Sequence, residues 1–475
     1  MKSRRTFLGS LFSGTLGLLA GKSAPARAEE TPSSPTLPVC HEADICVLGG
    51  SATGVFAAVR AARLGARVAI VERANGFGGV AVNSLVNVWH PLFDTQFERK
   101  IIGGLTEETV ACLQKRNAVD IYDKNRSVWA GFNSSELKIE LDELVIESKI
   151  RPFLHTLFSE PYYESGNLTG VIVDGKSGRR IIKARVFIDA TGDGDLCVRM
   201  GFGSRLPAHP QPPTMCAHLD GFDLTRCNNL LAEHAKEYNI PQGFLWGLDI
   251  PGTHSFMFAG TRVYNAACAE ADDLTAAEIE GRRQVRAVMD MYRRYADNAG
   301  NARFGLTALP SALGIRESRH IDCLYRVTDD DALYGKRLPD AIANCSYTFD
   351  LHHDTETGHA ITFRSLDGVE ERYGAPGTPP EIGRWRPETA ENPTFYQIPF
   401  RSIVPKGSRN VLLAGRMFDA EETAFSGMRV MVNMNQLGEA AGVGAYLALD
   451  KDISVDQIDA ADVRKTLAAG GSVII

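Results

Sequence analysis

Residues 45 to 72 constrain the fold of this chain more tightly than any other segment. Ile45-Cys46-Val47-Leu48 is an apolar run suited to burial on both faces of a parallel sheet, and it enters Gly49-Gly50-Ser51-Ala52-Thr53-Gly54 directly. A helix of small residues follows (Ala57, Ala58, Ala61, Ala62), then a second strand from Arg67 to Glu72. Together these form the strand, phosphate turn, helix and strand of a dinucleotide-binding unit, which points to a flavin or nicotinamide cofactor. Gly49 and Gly50 permit the sharp turn because glycine tolerates positive φ. Backbone N–H groups from Gly50 to Gly54 can then face a pyrophosphate, aided by the helix dipole. Gly54 lets the helix approach the strand, and Glu72, about 20 residues beyond the glycines, is placed to accept ribose hydroxyls. A strict Gly-x-Gly-x-x-Gly pattern would need glycine at 51; Ser51 stands there and is small enough to admit the phosphate.

The segment in front of this unit reads as an address. Lys2-Ser3-Arg4-Arg5-Thr6-Phe7-Leu8 precedes an apolar stretch from Leu11 to Ala20, diluted by glycine, and Ala26-Arg27-Ala28 precedes Glu29. This pattern predicts a twin-arginine export signal over residues 1–28, hence engagement of the twin-arginine export machinery and a periplasmic protein. A disordered basic N-terminus is the bland alternative. Residues 29–42, rich in proline and serine from Thr31 to Pro38, read as a linker. Export in the folded state suits a protein that must first acquire a tight cofactor.

Charge and composition narrow the partners. Five of the 51 basic residues lie before Glu29, which leaves 46 against 58 acidic ones and a net charge of −12 beyond the signal. That balance argues against nucleic acid and against an anionic membrane surface. Beyond the signal no apolar run approaches the ~18 residues of a membrane span. The nine cysteines contain no Cys-x-x-Cys pair, so neither a disulfide framework nor a metal site is expected, and Cys46 and Cys345 read as buried small hydrophobes.

Later segments return to the cofactor. A helix is expected to start near Asn133-Ser134-Ser135, with Leu137, Leu141, Leu144 and Val145 on one face, followed by a strand from Arg151 to Phe158. A β-meander should follow, with strands Leu168 to Val173 and Arg180 to Ala190 joined at Gly175-Lys-Ser-Gly178. The second strand enters Asp189-Ala190-Thr191-Gly192-Asp193-Gly194-Asp195, which can present backbone groups to a dinucleotide; the alternative, a divalent cation, lacks the ligand spacing of a calcium loop. Asn410 to Gly415 reads as another buried strand, and Gly427-Met-Arg429-Val-Met-Val enters a helix bearing Gly438 and Gly442. A helix N-terminus there could stabilise negative charge on a reduced flavin.

With Val47 to Gly54, Val71-Glu-Arg73, Phe77-Gly-Gly-Val80, Ile188 to Asp195, Gly314-Ile-Arg-Glu-Ser-Arg319, Ile398 to Lys406 and Leu412 to Arg416 in view, the chain from 43 to 450 resembles the FAD-dependent oxidoreductases with a glutathione-reductase-like FAD domain. The resemblance implies FAD as cofactor and an α/β fold: a Rossmann-like FAD domain, parallel sheet plus β-meander, interrupted by a substrate domain with an antiparallel sheet. It implies FAD-domain parts at 43–205 and 392–450, a substrate domain at 206–391 and a C-terminal tail at 451–475. Gly49, Gly50, Ser51, Ala52, Thr53 and Gly54 would hold the pyrophosphate and Glu72 the adenosine ribose, with Arg73 also counted among the cofactor-binding residues. Gly78, Gly79 and Val80 would approach pyrophosphate and flavin, Phe158 would offer its backbone to adenine, and Thr191 and Gly192 would close the adenosine side. Gly415, Arg416, Val430 and Met431 would lie beside the ribityl chain and ring. Only one complete dinucleotide unit is visible, which disfavours NAD(P)H as electron donor.

On the substrate side, Arg316, Arg319 and His320, together with His352, His353 and Arg429, could form a cationic, proton-transferring face opposite the flavin, with Arg316, His352 and Arg429 as the catalytic set. Guanidinium groups suit carboxylates, and a histidine near its normal pKa suits proton removal. The alternatives are a structural Arg316–Glu317 ion pair, surface histidines, or a metal held by His352, His353 and Asp354; no metal is expected. His90 could lie near the flavin ring. The function expected is an exported oxidoreductase that passes a hydride between a small acidic or polyhydroxylated substrate and flavin N5, with a separate electron donor or acceptor. The alternatives are an electron-transfer subunit, which has little need of roughly 190 residues between two FAD-domain halves, and a flavin-free binding protein.

Overall fold

The apolar run before the glycine turn forms the middle of a sheet. The computed structural model describes residues 37–121, 130–241, 243–296, 303–353, 358–375 and 378–475. The predicted signal at 1–28 and Asp354 therefore lie outside the described residues. Ile45–Leu48 (β1) is buried throughout and is followed by helix Ala52–Arg63 (α1) and strand Val68–Val71 (β2). Helix Ser134–Glu147 (α2) and strands Arg151–Phe153 (β3), Val186–Asp189 (β4) and Val411–Leu413 (β5) come next, and helix Met431–Lys451 (α3) follows β5. The strands form one sheet in the order β5-β4-β1-β2-β3, with every neighbouring pair parallel. The expected parallel sheet is thus present.

Local chemistry explains the helices. Asn133 caps α2 as its sequence suggests, its side-chain oxygen accepting the N–H of Ser135 at 3.0 Å. Helix α3 lies against α1 at backbone distance. A Cβ on Gly438 would stand 2.1 Å from the Thr53 carbonyl oxygen and one on Gly442 2.2 Å from that of Ala57, so only glycine allows this approach. The crossing is pinned by a buried ion pair, with Arg60 Nε donating to Glu439 Oε2 at 2.6 Å. Glu439 also accepts the N–H of Leu105 at 3.1 Å and the hydroxyl of Ser472 at 3.0 Å.

Two predicted strands divide. The run 151–158 splits into β3 and Leu157–Glu164, because the chain wraps around the end of β2: the Glu72 N–H donates to Phe153 O at 2.9 Å and the Thr156 N–H to Glu72 O at 3.0 Å. Likewise 180–190 splits into Gly178–Lys183, which belongs to the meander, and β4, which belongs to the parallel sheet. The meander is antiparallel across Leu157–Glu164, Asn167–Gly175 and Gly178–Lys183, with its turn where expected, and Val39–Glu42 adds a parallel edge.

Between β4 and β5 the chain builds antiparallel sheets. One is ordered Trp246–Asp249, Ser255–Ala259, Ala217–Asp220, Gly305–Ala308. It shares a hydrophobic cluster with helix Ala271–Tyr295, through Met215, Leu219, Val285, Val288 and Met291. Another four-stranded sheet is ordered Phe349–His352, Ile361–Arg364, Val369–Tyr373, Glu381–Arg384, and its Phe349 and Leu351 join the main core. Residues 38–475 form one compact unit. Cys46 and Cys345 are fully buried, and among the described residues no helix is long and apolar enough to cross a membrane.

Candidate functional site

The turn after β1 is shaped by collisions that only glycine avoids. Gly49 has φ +106°, and a Cβ there would lie 2.1 Å from Ala190 O; one on Gly54 would lie 2.0 Å from Gly49 O. Ser51 needs no glycine, because its φ of −61° is ordinary, and its hydroxyl caps α1 by accepting the Gly54 N–H at 3.2 Å. The Gly78-Gly79 loop is laced to the same turn. The Gly78 N–H donates to Gly50 O at 2.8 Å, and a Cβ on Gly79 would stand 2.7 Å from that of Ser51.

A single cavity runs along these loops and continues past Thr191, Gly192, Gly415 and the start of α3. Every predicted cofactor residue lines it except Gly50 and Gly54, which stand behind the wall. Glu72 holds the turn: its carboxylate accepts the N–H of Gly50 at 2.6 Å and of Ala74 at 2.7 Å, and each oxygen retains a further lone pair. Arg73 is exposed at the rim. Phe158 pairs in the meander, with the Arg199 guanidinium 5.4 Å from its ring centre. Arg416 lies against Gly192 and donates to Asp193 at 2.6 Å, while its Nε is buried without an acceptor. Val430 is extended and forms the N-cap of α3, so the helix opens at the cavity with Met431.

The acidic cluster after β4 is engaged by the protein's own donors. Asp189 accepts from the Thr191 hydroxyl at 2.7 Å and from the Cys197 N–H at 3.1 Å, and burial raises its pKa to about 6. Among the described residues no group of three or more His, Cys, Asp and Glu side chains is arranged to hold a metal ion.

At the other end of the cavity the structure gathers Arg316, His352, Arg429 and His90. His352 Nε2 hydrogen-bonds to Asp350 Oδ2 at 3.1 Å, and Arg429 Nη2 donates to the same oxygen at 3.3 Å. The nearby acceptor places the ring proton on Nε2 and leaves Nδ1, which is buried with no protein partner, as a bare lone pair. Arg316 is half-buried and donates to Pro212 O at 2.5 Å. The ring of His90 stacks on Tyr347 at 4.9 Å.

Several sequence expectations change here. Arg319 and His320 leave the face: Arg319 donates to Glu270 at 3.1 Å, and His320 is buried between Glu317 at 2.9 Å and Phe418 O at 3.2 Å. Glu317 therefore pairs with His320, and Arg316 forms no ion pair among the described residues. His352 is no surface histidine, being 8 % exposed, and its pKa is not near normal. Burial, then the Arg316 charge, lower it to about 3. Burial also lowers His90 to about 4. Burial acts to raise Asp350, but His352, Arg429 and Arg316 outweigh it and hold the carboxyl below its usual range. His353 bonds to the Thr362 hydroxyl at 2.8 Å and does not line the cavity.

Sequence reasoning left Asp350 without a role, although Asp-x-His on a strand puts both side chains on one face. Gln211, which accepts from Arg429 Nε at 3.2 Å, carried no local signal, because it reaches the site only through the tertiary fold.

Residues 44–467 match the family model described as FAD dependent oxidoreductase. The chain belongs to that family. FAD is its cofactor, the molecule is an FAD-dependent oxidoreductase, and the glycine cradle fits the pyrophosphate of that group. No curated protein matches the sequence. Among solved structures, a geranylgeranyl bacteriochlorophyll reductase-like protein from Thermoplasma acidophilum is 11% identical, with 90% of this chain and 83% of that one covered and a TM-score of 0.45. A triple mutant of the flavin-dependent brominase Bmp2 is 10% identical over 90% and 84%, with a TM-score of 0.41. The p-nitrophenol 4-monooxygenase PnpA from Pseudomonas putida DLL-E4 is 11% identical over 60% and 71%, with a TM-score of 0.39.

Proposed function

We propose that this FAD-dependent oxidoreductase passes a hydride between a small acidic or polyhydroxylated molecule and flavin N5, and exchanges electrons with a separate redox partner. The observation that carries the reading is the bare, buried Nδ1 of His352 in the wall of the cavity that also contains the glycine cradle. Bound FAD supplies a two-electron acceptor or donor. The Gly49 to Gly54 turn and the opening of α3 would hold it, with Arg416 and the Gly78-Gly79 loop alongside. His352 Nδ1 accepts a hydroxyl proton from substrate, and Asp350 holds the ring and supports the charge that develops on it. Arg429 keeps Asp350 ionised. Burial of this end of the cavity limits water around the transfer.

The FAD domain on this reading is of the glutathione-reductase-like kind, in two parts, 43–205 and 392–450, with 206–391 as the substrate domain. The separate hydrophobic cluster around Met215, Val285 and Met291 supports the first half of that substrate domain, whereas Phe349 and Leu351 pack into the main core. The twin-arginine pattern around Arg4 and Arg5 supports export to the periplasm.

Anaerobic addition of pooled organic acids, sugars and polyols to the purified protein tests the proposal through its visible spectrum. Bleaching of the flavin bands by one pool is expected. Flavin that no pool reduces, but that exchanges electrons readily with a protein partner, would overturn the substrate chemistry.

A further inference from the structure

We propose that Arg316 and Arg429, beside His352, form a carboxylate-binding subsite, so that the substrate is an organic acid rather than a neutral polyol. This rests on the reading above that the His352 end of the cavity receives substrate.

Charge balance carries the inference. Arg429 and Arg262 both act on Arg316, and among the described residues Asp350 is the carboxylate that offsets them there. Asp350 is already shared between His352 and Arg429. Glu317, next in sequence to Arg316, turns its oxygens to His320 and to the Gln211 N–H. Arg262 stands behind the wall, 2 % exposed, and donates to the carbonyls of Gly260 and Phe244 without an ion pair among the described residues.

The other titratable groups around Arg316 and Asp350 add no negative charge at neutral pH. Burial pushes the Cys216 thiol up to about 12 and the Tyr347 hydroxyl higher still, and His90 and His352 stay neutral. One aspartate therefore faces three guanidinium groups, and burying such an excess of charge is unfavourable unless an anion joins it. Arg316 is the group equipped to receive that anion. It lines the cavity and gives one N–H to Pro212 O, which leaves most of its planar fork of five donors for a ligand. That fork matches a carboxylate in a bidentate manner. Asp350 would repel a carboxylate placed directly on it, so the position beside Arg316 is the favoured one.

The test is calorimetric titration of the purified holoprotein with malonate, oxalate, inorganic phosphate and glycerol at constant ionic strength. It is repeated on Arg316→Met and Arg316→Lys, with flavin content and circular dichroism recorded for each. Malonate or oxalate should bind the native protein, and Arg316→Met should bind it at least tenfold more weakly while keeping flavin and fold. Arg316→Lys, which keeps the charge and loses the fork, should fall between the two. Arg316→Met that binds malonate as the native protein does, glycerol or phosphate binding more tightly than either dicarboxylate, or no dicarboxylate binding at all would each overturn the subsite. The two readings fail separately. A holoprotein whose malonate binding depends on Arg316 but whose flavin no substrate pool reduces removes the hydride-transfer reading alone, and one whose flavin a sugar or polyol pool reduces but which ignores malonate removes the subsite alone.

Discussion

At the scale of single residues, the site depends on which atom of which ring is free. Asp350 accepts a hydrogen bond from the Nε2–H of His352, which leaves Nδ1 as the base, and burial, then the Arg316 charge, keep that base unprotonated. His352→Ala and Arg429→Ala should retain bound FAD and lower substrate-driven flavin reduction, the histidine change by about 10²-fold or more as removal of a general base does. Asp350→Asn should fall by a similar factor, because an amide can present its N–H to Nε2 and so shift the ring proton to Nδ1. Stopped-flow reduction at matched flavin content checks all three. If Asp350→Asn reduces at the native rate, the carboxylate does not set the tautomer. Asp350 was legible as part of an Asp-x-His pair on a strand, whereas the loss of Arg319 and His320 from the face was not, since it depends on Glu270 and Glu317 meeting them in the folded chain.

At the scale of elements, the dinucleotide unit was readable because its constraints are local. Strand burial, positive φ at Gly49 and the cap at Ser51 all act within a few residues. The split of 151–158 and of 180–190 was unreadable, because hydrogen bonds to distant strands, not hydrophobic runs, decide where each strand ends. Gly50→Leu should abolish FAD loading, since even a Cβ there would lie 2.5 Å from the Phe77 ring and 2.9 Å from the Glu72 Cβ. Flavin absorbance undiminished in that variant would remove the phosphate-turn assignment. The α1–α3 crossing makes a separate prediction about stability. Arg60→Met leaves the Glu439 carboxylate buried without its cation and should cost roughly 3–5 kcal/mol in denaturant unfolding. A change below about 1 kcal/mol would mean the pair does not secure the crossing.

For the whole molecule, pH reports on the buried histidines. His352, His90 and His218 are lowered by burial from 6.5 to about 3, 4 and 4. Below pH 6.5 the unfolded chain binds protons at these positions that the folded chain refuses, so stability falls as pH drops from 6.5 toward 4. Each histidine contributes up to about 1.4 kcal/mol per pH unit across that window. Thermal unfolding from pH 7.5 to 4.5 should show the decline, with a shallower slope in His352→Gln; identical slopes would place that imidazole in water. The proposed export is likewise tested on the full chain. Replacing Arg4 and Arg5 with lysine should trap the protein in the cytoplasm, and normal periplasmic recovery would refute the signal reading. The overall class was legible from the glycine turn and acidic strand end, and Arg316, His352 and Arg429 of the substrate face were named from the sequence, but how Asp350 joins His352 and Arg429 was not, because tertiary packing brings them together. The central claim is that the glycine cradle and the His352 face serve one reaction. It is tested most directly by anaerobic rapid-mixing of the reducing substrate pool with native protein and His352→Ala at equal flavin content. Bleaching slowed by about 100-fold in the variant is the predicted result, and equal rates in the two proteins would contradict it.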